Sequence, residues 1–324
     1  MGQMIDGVWS GEDRAFPTSA GAFQRPPTIF RDTIAEGTQY PPQAGRYHLY
    51  DSLACPWAHR ALNFRRQKRL ESLVGVSVVH WLMGENGWTF APGPGVVPDP
   101  VMGAQFLHQL YSRADPGFSG RVTVPVLWDR ATDRIVNNES AEIIRILNSA
   151  FDGIGAAPGD YHPPPLRAEI DAVNERVYAT LNNGVYRAGF ARTQKAYEAA
   201  IPPLFDTLDW LEGILSRQPF VCGERLTEAD VRLFTTLIRF DPVYQYHFKC
   251  NLRRLTDYPA LWDYTRSLYQ VPMIGETVDF GHIKRHYFMS HETINPTGIV
   301  PLGPTLDLAP PGSRLPALRA ALGD

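Results

Sequence analysis

The 324-residue sequence has few cysteines and no long apolar run. Its three cysteines, Cys55, Cys222 and Cys250, are far apart and odd in number, which argues against a disulfide scaffold and favours reduced thiols. No stretch approaches the roughly 20 apolar residues that a membrane helix needs. The N-terminus also lacks the basic and apolar segments of a secretory signal. We therefore expect a cytoplasmic protein that does not cross a membrane.

The sequence also lacks a strong excess of either charge. Lys and Arg number 31 against 34 Asp and Glu, which gives a formal net charge of -3 without long runs of one sign. Nucleic-acid binding depends on neutralising phosphates, so no nucleic-acid partner is expected. With 44% hydrophobic and 20% charged residues, the chain is an ordinary globular one, long enough for two domains. Small-molecule chemistry is the better expectation.

The first half of the sequence predicts an α/β domain after an irregular start. Residues 1–45 are rich in Gly, Pro and polar residues without a period, and predict an N-terminal extension. A strand at Tyr47, a helix from Pro56 and a buried strand over 74–82 form a parallel βαβ unit. A hairpin from Val124 and a helix that Asn138 opens complete the pattern. The order βαβ then ββα predicts a thioredoxin-like domain over residues 46–151.

The second half predicts a separate helical domain. Residues 152–165 are dense in Gly and Pro and predict a linker, and residues 166–324 predict an all-helical domain that ends in a surface tail. The clearest helix lies in "LTEADVRLFTTLIRF". Thr227 and Asp230 there form a capping box ahead of an apolar face.

Cys55 is placed where a strand turns into a helix, with Pro56 at the first helical position. A thiol at the N-cap faces backbone N–H groups and the helix dipole, which lower its pKa from about 8.5 into a range of about 3.5 to 7.5. The alternative is a buried, inert cysteine at a helix start. Cys222 and Cys250 have no such capping position and are interpreted as structural.

No second cysteine follows Cys55 at the spacing of a dithiol motif, because the third residue after it is Ala58 and the fourth is His59. An internal disulfide at this position is therefore excluded. If Cys55 reacts with sulfur, its covalent partner is external and a second small thiol must resolve the adduct. Glutathione is the candidate in a reducing compartment.

A glutathione site needs two further features, and the sequence offers a candidate for each. A cis bond before Pro125 would turn the backbone of Val124 towards the cysteine, although a trans bond is favoured by the sequence alone. Glu139 and Ser140 at a helix N-terminus could bind the γ-glutamyl ammonium and carboxylate, and plain helix capping is the alternative.

Together these residues resemble the glutathione transferases, and within them the glutathionyl-hydroquinone reductases, or xi class. The resemblance spans about Ile5 to Pro301. It rests on the motifs "CPWAHR", "GWTF", "RVTVPVLWD", "NESAEIIR", "NNGVYRAGFA", "YHFKCN" and "GHIKRHYFMSH", the last followed by "NPTGIVP".

The resemblance implies a reaction and assigns residues to it. Cys55 would be the nucleophile that removes glutathione from a glutathionylated aromatic molecule, with glutathione as co-substrate, no metal, and a homodimer as the assembly. The glutathione-binding residues would be Trp88, Val124, Glu139 and Ser140. The tyrosines that line the hydroquinone pocket and help protonate the leaving carbon would be Tyr186, Tyr244 and Tyr287.

Several alternatives stay open at this stage. Tyr186 and Tyr244 could be core residues with satisfied hydroxyls. His282 and His286, at i and i+4, with His291 nearby, have a spacing that could ligate a metal, but no other ligand motif supports one. The activity could be that of a broader cysteine-type transferase, acting as thiol transferase, dehydroascorbate reductase or lyase. A non-catalytic binding module with the same fold is the third reading.

Overall fold

The computed structural model describes residues 2–12 and 18–322, and the chain divides into two compact units. The first comprises residues 2–12, 27–159 and 279–300, and the second residues 18–26, 160–278 and 301–322. No helix in these described stretches is long and apolar enough to span a membrane.

The first unit is built on a four-stranded mixed sheet. It begins with a small antiparallel hairpin of β1 (Gln3–Ile5) and β2 (Val8–Ser10). The strands of the central sheet are β5 (Tyr47–Asp51), β6 (Val74–Val78), β7 (Val126–Asp129) and β8 (Arg134–Asn137). Their order is β6-β5-β7-β8, in which β5 pairs parallel with β6 and antiparallel with β7. This is the thioredoxin-like topology that the strand order predicts.

Helices complete the first unit around that sheet. They are α1 (Pro56–Gln67), α2 (His108–Ala114), α3 (Ser140–Ser149) and, from far along the chain, α10 (Phe280–Ser290). Helix α1 packs against α3. At the end of α1 the buried ammonium of Lys68 donates to Asp152 Oδ1 at 2.8 Å and to the Gly159 carbonyl at 2.7 Å. These bonds hold residues 152–159 on the first unit.

The second unit is helical apart from a short hairpin of β3 (Thr18–Ser19) and β4 (Ala22–Phe23). Thr227 and Asp230 form the predicted capping box of the helix Glu228–Leu237. π-helical turns interrupt the unit at Tyr178–Asn182 and Phe240–Tyr244. The helices are α4 (Arg167–Val177), α5 (Gly184–Gly189), α6 (Gln194–Leu215), α7 (Glu228–Leu237), α8 (Pro259–Tyr269), α9 (Pro272–Gly275) and α11 (Leu315–Leu322).

The division differs from the sequence-based boundaries at residues 279–300, which the sequence assigned to the helical domain. Helix α10 packs on the first unit because its polar side chains bond that unit's loops. His282 Nε2 lies 2.6 Å from the Pro94 carbonyl, and Ser290 Oγ accepts from the Met83 amide at 3.0 Å. The C-terminal stretch, expected as a surface tail, includes α11, whose Leu318 is fully buried.

Candidate active site

Cys55 lies at the start of α1, as the sequence predicts. It is the N-cap residue with extended backbone angles (φ -79°, ψ 124°), Pro56 follows as the first helical residue, and the first turn contains no acidic residue. The side chain is half-buried, while Cys222 and Cys250 are buried. Cys55 therefore lies at the positive end of the helix dipole, where the first N–H groups of the helix have no acceptor within it.

Val124 is the residue that the structure brings against the cysteine from the sheet side. Cys55 Sγ lies 3.9 Å from the Val124 carbonyl oxygen. The Val124–Pro125 peptide bond is cis, so the expectation of a trans bond is wrong here. The sequence could not decide this, because the trans preference of an X-Pro bond is only about 0.5–1 kcal/mol and surrounding contacts override it.

Glu139 and Ser140 lie at the N-terminus of α3, where the sequence predicts them. Glu139 is the N-cap, and its carboxylate accepts from the Ala141 amide and from Thr28 Oγ1, both at 3.1 Å. Glu139 therefore does cap α3, which was the alternative to a role in ligand binding. A carboxylate has about four acceptor positions, so capping leaves capacity for an ammonium ligand. The buried Ser140 hydroxyl accepts from Arg60 at 3.5 Å.

A buried tyrosine connects the segment before Val124 to the one before Glu139. The Tyr111 hydroxyl donates to the Thr123 carbonyl at 2.8 Å and accepts from Asn138 Nδ2 at 3.3 Å. Burial raises the pKa of this phenol, so it stays protonated. The two predicted glutathione-binding segments therefore share one hydrogen-bonded link.

Trp88 belongs to the same hydrophobic core as Val124, and Cys55 packs against that core. The backbone carbonyl of Trp88 accepts from the Leu107 amide at 2.9 Å. Its indole is stacked on the His286 ring, with the ring centroids 4.8 Å apart and 21° between the planes. The first unit thus contains Cys55 together with the four residues that the resemblance assigns to glutathione binding, which are Trp88, Val124, Glu139 and Ser140.

The histidines of α10 bond backbone carbonyls. His286 Nδ1 lies 2.8 Å from the Trp81 carbonyl, and His282 Nε2 bonds Pro94. A ring nitrogen that faces a carbonyl carries the proton, so these bonds fix the tautomer of each histidine and tie α10 to the segments at Trp81 and Pro94.

A different group in the second unit meets a loose geometric test for a metal. Ligand atoms of His162, Asp171 and Glu228 lie within 4.8 Å of one another. The Glu228 carboxylate, however, already accepts from Asn174 at 2.9 Å and lies 3.6 Å from the Arg232 guanidinium. A cation there would compete with that guanidinium.

Tyr186 and Tyr244 lie in the second unit and are brought together, with ring centroids 6.2 Å apart. Both contact Phe248, at 5.5 and 5.6 Å. Tyr186 is 9% exposed and Tyr244 is fully buried, so both contribute to the aromatic core. The π-helical turn that ends at Tyr244 is of a kind frequent at functional sites.

Arg25 is a residue near the aromatic cluster that sequence reasoning missed. Its guanidinium carbon lies 4.8 Å from the Tyr186 ring centroid, and its Nε donates to Asn183 Oδ1 at 2.9 Å. No local period identifies Arg25, because it lies in a stretch without regular structure.

Tyr287 lies in the first unit, on α10, and is buried. Its ring contacts those of His286 and His291, each with centroids 5.3 Å apart and near-perpendicular planes. His286, which sequence reasoning considered only as a metal ligand, therefore contacts both Trp88 and Tyr287. The motif "GHIKRHYFMSH" marks His286 and Tyr287 as part of the family resemblance, but it does not indicate which aromatic rings they contact.

Comparisons with known proteins agree with this architecture. The family model described as "Glutathione S-transferase, N-terminal domain" matches residues 54–150, and "Glutathione S-transferase, C-terminal domain" matches residues 194–267. Glutathionyl-hydroquinone reductase PcpF from Sphingobium chlorophenolicum is 56% identical over 308 residues, covering 95% of this chain and 98% of its own.

Two further relatives extend the comparison. Glutathionyl-hydroquinone reductase YqjG from Escherichia coli K12 is 53% identical over 97% of this chain and 98% of its own. The glutathione-bound structure of YqjG superposes with a TM-score of 0.88, covering 97% of this chain and 99% of that one. The glutathione S-transferase Xi of Phanerochaete chrysosporium, 51% identical, superposes with a TM-score of 0.87 over 90% and 95% of the two chains.

The family assignment rests on three findings: the site around Cys55, the two matched domains, and relatives that are more than 50% identical over nearly their full length. The chain belongs to the glutathione transferase family, in its xi class of glutathionyl-hydroquinone reductases.

Proposed function

We propose that this enzyme removes glutathione from glutathionyl-hydroquinones and releases the hydroquinone and oxidised glutathione. The observation that carries the proposal is the single half-buried thiol. Cys55 caps α1 without a neighbouring cysteine, while Cys222 and Cys250 are buried. A lone reactive thiol requires an external thiol to regenerate it, which matches a glutathione-consuming reaction.

In the first step, the Cys55 thiolate attacks the sulfur of the glutathionyl-hydroquinone. A sulfur–sulfur bond forms, and the bond between sulfur and the ring carbon breaks. The ring carbon keeps that electron pair and takes a proton, so the aromatic product is reduced while the two sulfurs become an oxidised mixed disulfide. Cys55 is left bound to glutathione.

In the second step, a glutathione thiolate attacks the glutathionyl sulfur of the mixed disulfide. Cys55 leaves as a thiolate and oxidised glutathione is released. The proton lost by the incoming glutathione thiol replaces the one given to the ring carbon. Overall, one thioether and one thiol yield one disulfide and one hydroquinone, through a ping-pong scheme.

In the proposed complex, glutathione binds to residues of the first unit. The Val124 backbone pairs with the cysteinyl amide of glutathione, Glu139 holds its ammonium, and the Ser140 hydroxyl with the N-terminal amides of α3 holds its carboxylate. Trp88 covers the peptide. The hydroxyls of Tyr186 and Tyr287 hydrogen-bond the aromatic substrate and help to deliver the one proton that the leaving ring carbon takes, and that of Tyr244 bonds a ring oxygen.

The experiment that tests the proposal is intact-mass analysis after incubation with a glutathionyl-hydroquinone and no free glutathione. The expected result is one glutathionyl group per chain, mapped to Cys55, with stoichiometric hydroquinone release. Adding glutathione should return the mass of the free enzyme. Absence of the adduct despite turnover would refute this mechanism.

Matched variants separate the thiols. Cys55→Ser should form no adduct and lose the reaction, whereas Cys222→Ser should retain both. A phenacyl-glutathione conjugate compared with the hydroquinone conjugate tests the broader transferase activity, and a higher rate on the phenacyl conjugate would contradict hydroquinone specificity.

The enzyme is also proposed to be a cytoplasmic homodimer. The resolving step consumes reduced glutathione, which the cytoplasm maintains, so a cytoplasmic enzyme is proposed. A homodimer is proposed as well, as in the family pattern on which the sequence resemblance rests. Light scattering on the purified protein measures its mass directly, and a monomer at micromolar concentration would contradict the dimer.

A further inference from the structure

Trp9, on strand β2 of the N-terminal hairpin, contacts the loop that carries Trp88. The Trp9 indole Nε1–H donates to the Glu85 carbonyl at 3.0 Å. Gly87, directly before Trp88, has a left-handed conformation (φ +65°), and a Cβ added there would come within 2.8 Å of the Trp9 ring. We call residues 84–88 the Trp88 loop. Trp9 therefore fixes its backbone by a hydrogen bond and by close packing.

Trp9 also contacts the segment that pairs with the Trp88 loop. Its ring is stacked on His108, with centroids 4.8 Å apart and 10° between the planes, and His108 is stacked in turn on Phe106 at 5.3 Å. This second segment is hydrogen-bonded to the Trp88 loop, because the Leu107 amide donates to the Trp88 carbonyl. One indole thus packs against both sides of the backbone pair that presents Trp88.

The rest of the hairpin is bonded to the segment that leads to Val124. The Met4 amide donates to the Gly120 carbonyl at 2.9 Å and the Gly120 amide to the Met4 carbonyl at 3.1 Å. The Gly7 amide donates to the Phe118 carbonyl at 3.0 Å. Met4 is buried in the core that contains Trp88 and Val124. The hairpin thus joins the chain segments of two proposed glutathione contacts.

We propose that Trp9 is a positioning residue for glutathione: it fixes the Trp88 loop, so that Trp88 is held in place against the peptide without Trp9 touching the substrate. The inference rests on the proposed function. It assigns a role to the N-terminal extension, for which sequence reasoning found no period and no motif. When a binding residue is already held in its bound position, ligand binding loses no conformational entropy in ordering that residue. A more mobile Trp88 loop should therefore weaken glutathione binding.

The test measures glutathione-site affinity without turnover. Iodoacetamide alkylates Cys55, and S-methylglutathione, which has no free thiol, protects it by occupying the site. The concentration that halves the alkylation rate is determined for the wild type, Trp9→Phe and Trp9→Ala. The matched control is Val8→Ala, because Val8 lies on the same strand and is 69% exposed.

The expected result is a graded loss. Trp9→Phe keeps a stacked ring but loses the indole hydrogen bond, which corresponds to a roughly threefold higher half-protecting concentration. Trp9→Ala loses the packing as well and should show a roughly tenfold increase or more. Val8→Ala should match the wild type. Without ligand, Cys55 should be alkylated at the wild-type rate in all variants, which a general disruption of the site would not allow.

The outcomes separate the two proposals. If S-methylglutathione protects the wild type and folded Trp9→Ala at the same half-protecting concentration, the positioning role alone is overturned. It is also overturned if Trp9→Ala changes the ligand-free alkylation rate of Cys55 by the same factor as the half-protecting concentration. If Trp9→Ala does not fold, Trp9→Phe and Gly87→Ala decide: weakened protection in both supports the role, and wild-type protection in both overturns it. A wild type that S-methylglutathione does not protect would overturn the proposed function, and this inference with it.

Discussion

The three cysteines should differ in alkylation rate by orders of magnitude. Burial raises the pKa of Cys222 to about 12 and raises that of Cys250 as well. At pH 7.5 a thiol with a pKa near 12 is only about 0.003% thiolate, whereas an ordinary thiol with a pKa near 8.5 is about 9% thiolate. Ionisation alone thus makes Cys222 about 3000-fold less reactive than an unperturbed cysteine, and its burial blocks access further.

Cys55, at a helix N-cap, is half-buried, whereas Cys222 and Cys250 are buried, so a reagent reaches Cys55 first in the native state. Iodoacetamide at pH 7.5, followed by intact-mass analysis over time and peptide mapping, should therefore give one rapid addition at Cys55. Two further additions should appear only after unfolding in guanidinium. The control is Cys55→Ser, which should take up no label in the native state. Native labelling of Cys222 within tenfold of the Cys55 rate would refute the reasoning.

Three further predictions concern stability. Burial lowers the pKa of His48 to about 4, so the unfolded chain takes up a proton that the folded one refuses as the pH falls from 6.5 towards 4. Urea melts should show a loss of up to about 3 kcal/mol in the free energy of unfolding over that pH window, and His48→Gln should lack this loss. An equal pH dependence of the free energy of unfolding in the two proteins would contradict the prediction. Asp152→Ala should cost about 1–2 kcal/mol by removing one partner of the buried Lys68 ammonium, while a neutral result would reject that bond. Gly189→Ala places a Cβ 2.2 Å from the Phe248 ring and should cost about 1–3 kcal/mol, which an unchanged melting temperature would disprove.

The sequence predicted the central sheet and its first helix because their signals are local. The alternation that starts at Tyr47, the Pro56 that opens α1 and the capping box at Thr227 all correspond to observed elements. Each depends on residues within one or two turns of each other. The position of Cys55 at the N-cap followed from the same local signals.

Features that depend on distant contacts could not be predicted. The N-terminal extension contains strands of two or three residues, too short to show a period, and β1 is fixed by bonds to Gly120, more than a hundred residues away. Helix α10 was assigned to the helical domain because nothing in its sequence names Pro94 and Met83 as its partners. The stack of His286 on Trp88 was missed for the same reason.

The buried Tyr111 hydroxyl has a consequence for the thermodynamics of ligand capture. By joining Thr123 to Asn138, it makes the backbone beside Val124 and the start of α3 a single mechanical body. In the proposed binding mode glutathione contacts both segments, so its binding orders one connected unit instead of two and costs less conformational entropy. Loss of the Tyr111 oxygen in Tyr111→Phe should therefore appear as a less favourable binding entropy in calorimetry with S-methylglutathione, although Tyr111 is not among the proposed glutathione contacts.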